Sequence, residues 1–297
     1  MSKSAFQHFL DAITRSGIFL SLGASLTTYM STLILNLKFD LGLFLASFLI
    51  TFSIYNFNRK TDEKEDFISY PERFSFVVKY SKYLFGGALI SCILAILIAL
   101  SRGIETAIVL IIPLAIATLY GVSWVPKSLN KKVKFRRFKE IPIFKDLLVA
   151  LGWFAIPFLT VYYWSGSITI ATWLIALFIF IRIYIGATVF DVRDIIGDKL
   201  TGIKTLPVLI GEKKTMFFLA ILNTLSLFFF LYITLQGLLP PFMNVINIGV
   251  SLYGYLFLYL AIIKINKKFL CDVIVDGEYS LLGLLAFLGV TFYLLIS

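Results

Sequence analysis

The chain has 297 residues, 59% of them hydrophobic and 15% charged, with a mean hydropathy of +0.92 and a net charge of +10. A soluble domain of this length cannot hide that much apolar surface, so the expected solvent is a bilayer. The basic residues are spread over short connections without a nucleic-acid module, which argues against nucleic-acid binding and favours contact with anionic membrane lipid.

Nine apolar runs predict nine membrane-spanning helices, at roughly 17–37, 40–57, 83–100, 104–125, 146–164, 168–189, 215–236, 243–263 and 279–296. The first run is long and no small-residue cleavage pattern follows it, so it is expected to be a retained helix rather than a signal peptide. After the second run comes Asn58-Arg-Lys-Thr-Asp62-Glu-Lys-Glu-Asp66. The connection after the fourth run is dense in Lys and Arg, including Lys127, Lys139 and Lys145. The fifth run carries Gly152 and Pro157, and a kink is expected there. After the sixth run comes Asp191-Val-Arg-Asp194-Ile-Ile-Gly-Asp198, followed by Gly202 and Lys204. Gly197 and Gly202 are expected to permit turns and close approach of a ligand. No linker divides the chain, so residues 1–297 are expected to form one polytopic domain.

Cys92 and Cys271 lie far apart and form no CxxC pattern, so neither a disulfide nor a thiolate metal site is expected. The single histidine, His8, sits in the N-terminal stretch and is expected to be solvated, which weakens any haem, zinc or histidine-base chemistry.

Charge placement predicts orientation. The connections after even-numbered runs carry most of the Lys and Arg, whereas those around Ser165–Ser167 and Gln236–Asn244 carry none. The positive-inside rule then puts the N-terminus and the even connections in the cytoplasm, and the C-terminus outside. Both acidic clusters fall on the cytoplasmic side of the cell membrane in this arrangement.

The clusters also hint at duplication. Each follows the second run of a four-run half, and the offset from Asp62 to Asp194 equals that from Asp66 to Asp198. The expected architecture is all-α: two pseudo-repeated four-helix halves around a central cavity, with a peripheral ninth helix. On a helix, Asn58, Asp62 and Asp66 share one face, and so do Asp191, Asp194 and Asp198. Stacked carboxylates repel one another and persist most easily where divalent cations neutralise them. Two such faces meeting at a membrane surface would make a cradle for Mg²⁺ and a diphosphate.

The stretch from Asp191 to Gly211, with its Gly202-Ile-Lys-Thr-Leu-Pro-Val-Leu-Ile-Gly211 continuation, closely resembles the second aspartate-rich motif of the UbiA superfamily of intramembrane prenyltransferases. Asn58, Asp62 and Asp66 resemble the first motif, an Asn followed by Asp at the fourth and eighth positions after it. The resemblance covers essentially the whole chain. It implies a Mg²⁺-dependent transferase that moves an isoprenoid from a prenyl diphosphate donor, such as geranylgeranyl diphosphate, to a lipophilic acceptor. It implies Asp62, Asp194 and Asp198 as catalytic carboxylates, and Asn58, Asp62, Asp66, Asp191, Asp194 and Asp198 as the Mg²⁺ ligand set. Lys204, Lys127 and Lys145 are the basic candidates for the diphosphate, and Tyr120 is expected to border the pocket. The acceptors it implies include an aromatic quinone precursor, geranylgeranylglyceryl phosphate of archaeal ether-lipid synthesis, and a haem or chlorophyll precursor. Arg59 departs from the family's usual Asp or Gln after the motif Asn, and Tyr70-Pro-Glu-Arg73 replaces its usual Arg-Pro.

Two other classes use membrane carboxylates. A CDP-alcohol phosphotransferase needs an Asp-Gly pair followed by Ala-Arg within one cluster, and neither cluster has it. A cation-coupled transporter places its carboxylates near the bilayer midplane on broken helices, whereas these sit at helix ends on one side.

Overall fold

In a bilayer the backbone amides of a long apolar segment find partners only within a helix or a closed barrel. The computed structural model describes residues 5–123, 137–263 and 265–296, and among them every regular element is helical. In chain order these are α1 (Ala5–Ser16), α2 (Ile18–Ile34), α3 (Leu41–Thr61), α4 (Glu63–Ser69), α5 (Pro71–Lys79), α6 (Ser81–Leu100), α7 (Ile104–Gly121), α8 (Phe144–Phe154) and α9 (Ile156–Tyr163). There follow α10 (Ile170–Thr201), α11 (Leu206–Ile210), α12 (Glu212–Leu235), α13 (Met243–Ile262), α14 (Lys267–Phe269), a π-helical stretch (Leu270–Val275) and α15 (Asp276–Ile296). Among the described residues eight helices are long and apolar enough to cross a membrane, or nine if α1 and α2, bent by 65°, count as one span.

The bends have local causes. Gly17 takes φ 84° between α1 and α2, a left-handed conformation that costs glycine nothing. α8 and α9 form one span, interrupted at Ala155. Pro157 lacks an N–H and its ring displaces the carbonyl four residues earlier, so the expected kink falls there.

The halves repeat their order of elements. Each second span, α3 or α10, ends in an acidic cluster and leads to a short helix, α4 or α11. The ninth span departs from expectation. It is not peripheral: it packs along α2 and against α13, and it closes the ring of helices. Small residues make the α2–α15 contact close. A Cβ on Gly23 would lie 2.8 Å from Cβ of Tyr279, and one on Gly283 would lie 2.7 Å from the Leu26 carbonyl oxygen. The buried hydroxyls of α2 are satisfied within the membrane. Ser21, Thr27, Thr28, Ser31 and Thr32 donate to carbonyls one turn back, and Ser25 donates to the Phe44 carbonyl at 2.8 Å.

A buried ion pair ties the second half to the last helix. Arg182 on α10 donates to Glu278 on α15 and to Asn223 on α12, and its Nη2 donates to the Val250 carbonyl on α13 at 3.1 Å. Both charged side chains are fully buried. At the end of the bundle remote from the acidic clusters, Asp40 caps α3 by accepting from the Gly42 and Leu43 amides. It also accepts from the Tyr163 hydroxyl and the Arg102 guanidinium, each at 2.7 Å, and so links three connections.

Candidate active site

The first cluster spans a break. α3 ends at Thr61 and α4 begins at Glu63, yet the amide of Asp62 donates to the Asn58 carbonyl and that of Asp66 to the Asp62 carbonyl. One-turn bonding therefore continues through the break and keeps Asn58, Asp62 and Asp66 in series. The second cluster lies wholly within α10, which runs on to Thr201. There Gly202 takes φ 79° and the Ile203 amide returns to the Asp198 carbonyl at 2.8 Å, a glycine-terminated cap.

Gly197 brings the clusters together. A Cβ there would lie 1.9 Å from the Ser69 hydroxyl, so α4 crosses α10 where α10 has no side chain. The expected close approach at Gly197 is thus to a neighbouring helix and not to a ligand. Gly202 serves as the helix terminator.

Each aspartate of the two clusters meets a cation. Lys139 Nζ lies 2.5 Å from Asp62, and Arg73 lies 2.5 Å from Asp66. Lys145 Nζ lies 2.6 Å from Asp191 and 3.1 Å from Asp198, while Arg193 contacts Asp194 at 2.8 Å. Burial works against the charge on Arg73, but Asp66 together with Asp272 and Asp194 outweighs it and its pKa rises. Lys139 is buried and also lies over the Tyr120 ring, 5.2 Å from its centroid.

These groups line one cavity of about 280 Å³. Its polar rim holds Asn58, Asp62, Asp66, Tyr120, Lys139, Lys145, Asp191, Arg193, Asp194 and Asp198. Its deeper part is apolar and aromatic, with Leu20, Ile50, Tyr55, Leu110, Trp153, Ile156 and Tyr279. The arrangement can hold a highly charged headgroup at the rim while an apolar chain occupies the interior.

Not every expected residue is there. Lys204 is exposed and does not line the cavity; its carbonyl accepts from the Ile143 amide at 3.0 Å. That contact supports the backbone just before Lys145, where Ile143 takes φ 70°. Lys127 lies outside the described residues.

Other cavity residues were not anticipated. Asp146 accepts from the Thr188 hydroxyl at 3.0 Å beside Asp191. Asp272 and Asp276 enter from the last helix, whose span begins at Lys267 rather than near 279. Tyr70 is a hub beneath the rim: its ring lies under Arg73, Arg193 and Lys268, and its hydroxyl donates to Asp272. Burial and the Asp272 charge raise the Tyr70 pKa, which keeps the phenol a donor. The sequence did carry a signal for Asp272 and Asp276, since they repeat the four-residue spacing of the first cluster at a helix start.

The donors fit Mg²⁺ in kind. All are carboxylate or amide oxygens, on α3, α4 and the break between them and on α10, facing one cavity. Among the described residues no three acidic, His or Cys side chains converge tightly enough to form a metal cage alone. Mg²⁺ is commonly held by one or two carboxylates plus phosphate oxygens, so this set suits a metal shared with a bound diphosphate.

A family model described as the UbiA prenyltransferase family matches residues 18–268. The apo structure of a UbiA homolog from Aeropyrum pernix K1 superposes with a TM-score of 0.70 at 14% identity, covering 93% of this chain and 98% of that one. A UbiA homolog from Archaeoglobus fulgidus bound to DMAPP and Mg²⁺ gives 0.67 at 14% identity, covering 95% and 99%. A digeranylgeranylglyceryl phosphate synthase gives 0.57 at 17% identity, covering 95% and 97%. No protein of curated function matches the sequence.

Proposed function

Since the chain belongs to the UbiA prenyltransferase family, we propose that it moves an isoprenoid chain from a polyprenyl diphosphate to a lipophilic acceptor, with Mg²⁺ as cofactor. The observation that carries this reading is the single cavity with two facing acid clusters at its rim and an aromatic, apolar interior. The likeness to an Archaeoglobus relative bound to DMAPP and Mg²⁺ supports a prenyl diphosphate and Mg²⁺ as the ligands.

In the proposed mechanism Asn58, Asp62, Asp66, Asp194 and Asp198 hold the metal ions, with Asp191 assisting. Mg²⁺, when bound, neutralises charge on the leaving diphosphate. Lys139, Lys145, Arg73 and Arg193 each face a rim carboxylate. They keep the rim near neutrality before substrate arrives and then offer their N–H groups to diphosphate oxygens. Of the three candidate lysines, Lys145 takes the diphosphate-binding role. Tyr120, beneath Lys139, closes one wall. The helices exclude water from the allylic carbon, and Tyr55, Trp153 and Tyr279 present ring faces that favour developing positive charge.

The whole chain acts as one polytopic unit in the cell membrane. The basic connections on the side of the acid clusters support a cytoplasmic rim and N-terminus. The acceptor is a quinone precursor or an ether-lipid glyceryl phosphate, the latter supported by the likeness to a digeranylgeranylglyceryl phosphate synthase.

The test is a transfer assay on purified protein in lipid nanodiscs, with radiolabelled geranylgeranyl diphosphate and an acceptor panel. Label is expected to move to one acceptor class with Mg²⁺ and not with EDTA. Retention of transfer in EDTA would contradict the metal-dependent reading.

A further inference from the structure

The cavity contains two side chains of opposite charge that the donor site leaves unused. Its carboxylates are otherwise committed: Asp62 to Lys139, Asp66 to Arg73, Asp191 and Asp198 to Lys145, and Asp194 and Asp272 to Arg193. Asp146 accepts from Thr188. Asp276 lines the same cavity, and its side chain makes no hydrogen bond or ion pair among the described residues. Arg59 lines it too; its guanidinium donates through Nη1 to the neutral amide of Asn56 at 3.1 Å and meets no carboxylate there. The two side chains form no ion pair with each other.

Their depth is informative. α3 reaches the rim at its C-terminal end and the last span at its N-terminal end. Arg193 bridges Asp194 on the donor side and Asp272 on the last span. Asp276 lies four residues further along, about one turn deeper. The next cavity residue on that face is Tyr279, whose ring packs on Trp153 with centroids 4.8 Å apart. Asp276 therefore stands at the boundary between the charged rim and the aromatic interior. A diphosphate at the rim with its chain inside would place its allylic carbon at this boundary.

We propose that Asp276 accepts the proton released by the acceptor, and that Arg59 binds an anionic group on the same acceptor. This rests on the prenyltransferase reading. It names the acceptor class: an amphiphile with a hydroxyl and an oxyanion, either carboxylate or phosphate. The allylic C1–O bond breaks and its electron pair leaves with the diphosphate. A glyceryl hydroxyl oxygen or, in a phenolic acceptor, the ring carbon ortho to the hydroxyl forms the new bond to C1, and the proton lost from that atom passes to an Asp276 oxygen. Asp276 ends the step as a neutral acid and returns the proton to water when product departs. Carboxylates already paired with a cation are weaker bases, because the cation stabilises their ionised form. Asp276 has no such partner.

The test uses the full-length protein in nanodiscs with geranylgeranyl diphosphate and Mg²⁺. Its acceptors are 4-hydroxybenzoate, geranylgeranylglyceryl phosphate and their uncharged methyl esters, the carboxylate methyl ester and the dimethyl phosphate triester. Donor affinity is measured separately with the unreactive thiolodiphosphate analogue. Asp276→Asn should lower kcat about 10²-fold or more while donor affinity stays within about twofold, and Asp276→Glu should recover part of the loss. Arg59→Gln should raise KM about tenfold for the anionic acceptor and leave the methyl ester unchanged. Wild-type kcat in Asp276→Asn would overturn the assignment. So would an equal effect of Arg59→Gln on acid and ester, or a wild type that binds donor yet uses none of these acceptors. Failure of the wild type to bind donor would instead overturn the prenyltransferase reading, and this assignment with it.

Discussion

Gly197 on α10 lies so close to Ser69 at the end of α4 that a Cβ on the glycine would meet the serine hydroxyl at 1.9 Å. This crossing sets the distance between the first acidic cluster and the second. A size series at position 197 therefore probes the spacing of the site. In Gly197→Ala the serine hydroxyl can rotate away, and a loss of less than about tenfold in kcat/KM is expected. In Gly197→Leu the helices must separate, and a loss of about 10²-fold or more is expected, since a 1 Å misplacement alone can cost that much. Equal activity in both variants, measured by label transfer, would show that the crossing does not control the site.

Among the described residues Lys145 is the cation shared by Asp191 and Asp198. Removing it leaves two buried carboxylates facing each other and deletes a donor for the diphosphate. Lys145→Met should weaken binding of a thiolodiphosphate donor analogue about tenfold or more, a loss near 1.4 kcal/mol or above. Lys145→Arg should restore part of it. An unchanged isotherm for Lys145→Met would remove Lys145 from the donor site.

The Arg182–Glu278 pair is buried among four helices at membrane depth, away from the cavity lining. Breaking one partner leaves an uncompensated charge, at about 3–5 kcal/mol. Glu278→Ala should lower the thermal midpoint of the purified protein markedly. The double change Arg182→Met with Glu278→Leu should recover much of that loss, because apolar replacements of a buried pair are often neutral. A double variant no better than Glu278→Ala would mean that the pair does more than satisfy itself.

Asp40 gives the opposite end of the bundle an acid sensitivity. Burial raises its pKa, but the Tyr163 hydroxyl, the Gly42 and Leu43 amides and Arg102 together hold it below the usual carboxylate value. A carboxylate with a depressed folded pKa adds stability above its unfolded value of about 3.9, and that stability disappears as pH falls through the folded value. Asp40→Asn keeps a helix-capping side chain but loses this titration. Thermal midpoints measured from pH 7 down to about pH 3 should fall less steeply for the variant than for the wild type. Parallel curves would show that Asp40 does not contribute.

The sequence made the spans and both clusters legible because apolar length and carboxylate spacing are local properties. The pairing of clusters with cations was not legible. Lys139 reaches Asp62 only after the chain returns from α7, and Arg73 meets Asp66 across a helix break. Lys204 matched a family position, yet its backbone and not its side chain supports the site. The last span was drawn too short because Asp272, Asp276 and Glu278 read as loop. In the fold their charges face the cavity or Arg182, so the helix runs through them.

The central claim is that the two facing clusters together capture a metal-bound diphosphate. Diphosphate release tests it most directly, measured on the wild type, Asp62→Asn and Asp194→Asn with geranylgeranyl diphosphate, an active acceptor and either Mg²⁺ or EDTA. The account predicts release by the wild type with Mg²⁺ alone. It predicts loss of at least about 10²-fold in each variant when the rate is taken per folded protein, since each change deletes charge from a preorganised site; any fall in thermal midpoint from leaving Lys139 or Arg193 short of a partner is measured separately. Full Mg²⁺-dependent release in either variant would contradict it, because one cluster would then suffice without the other.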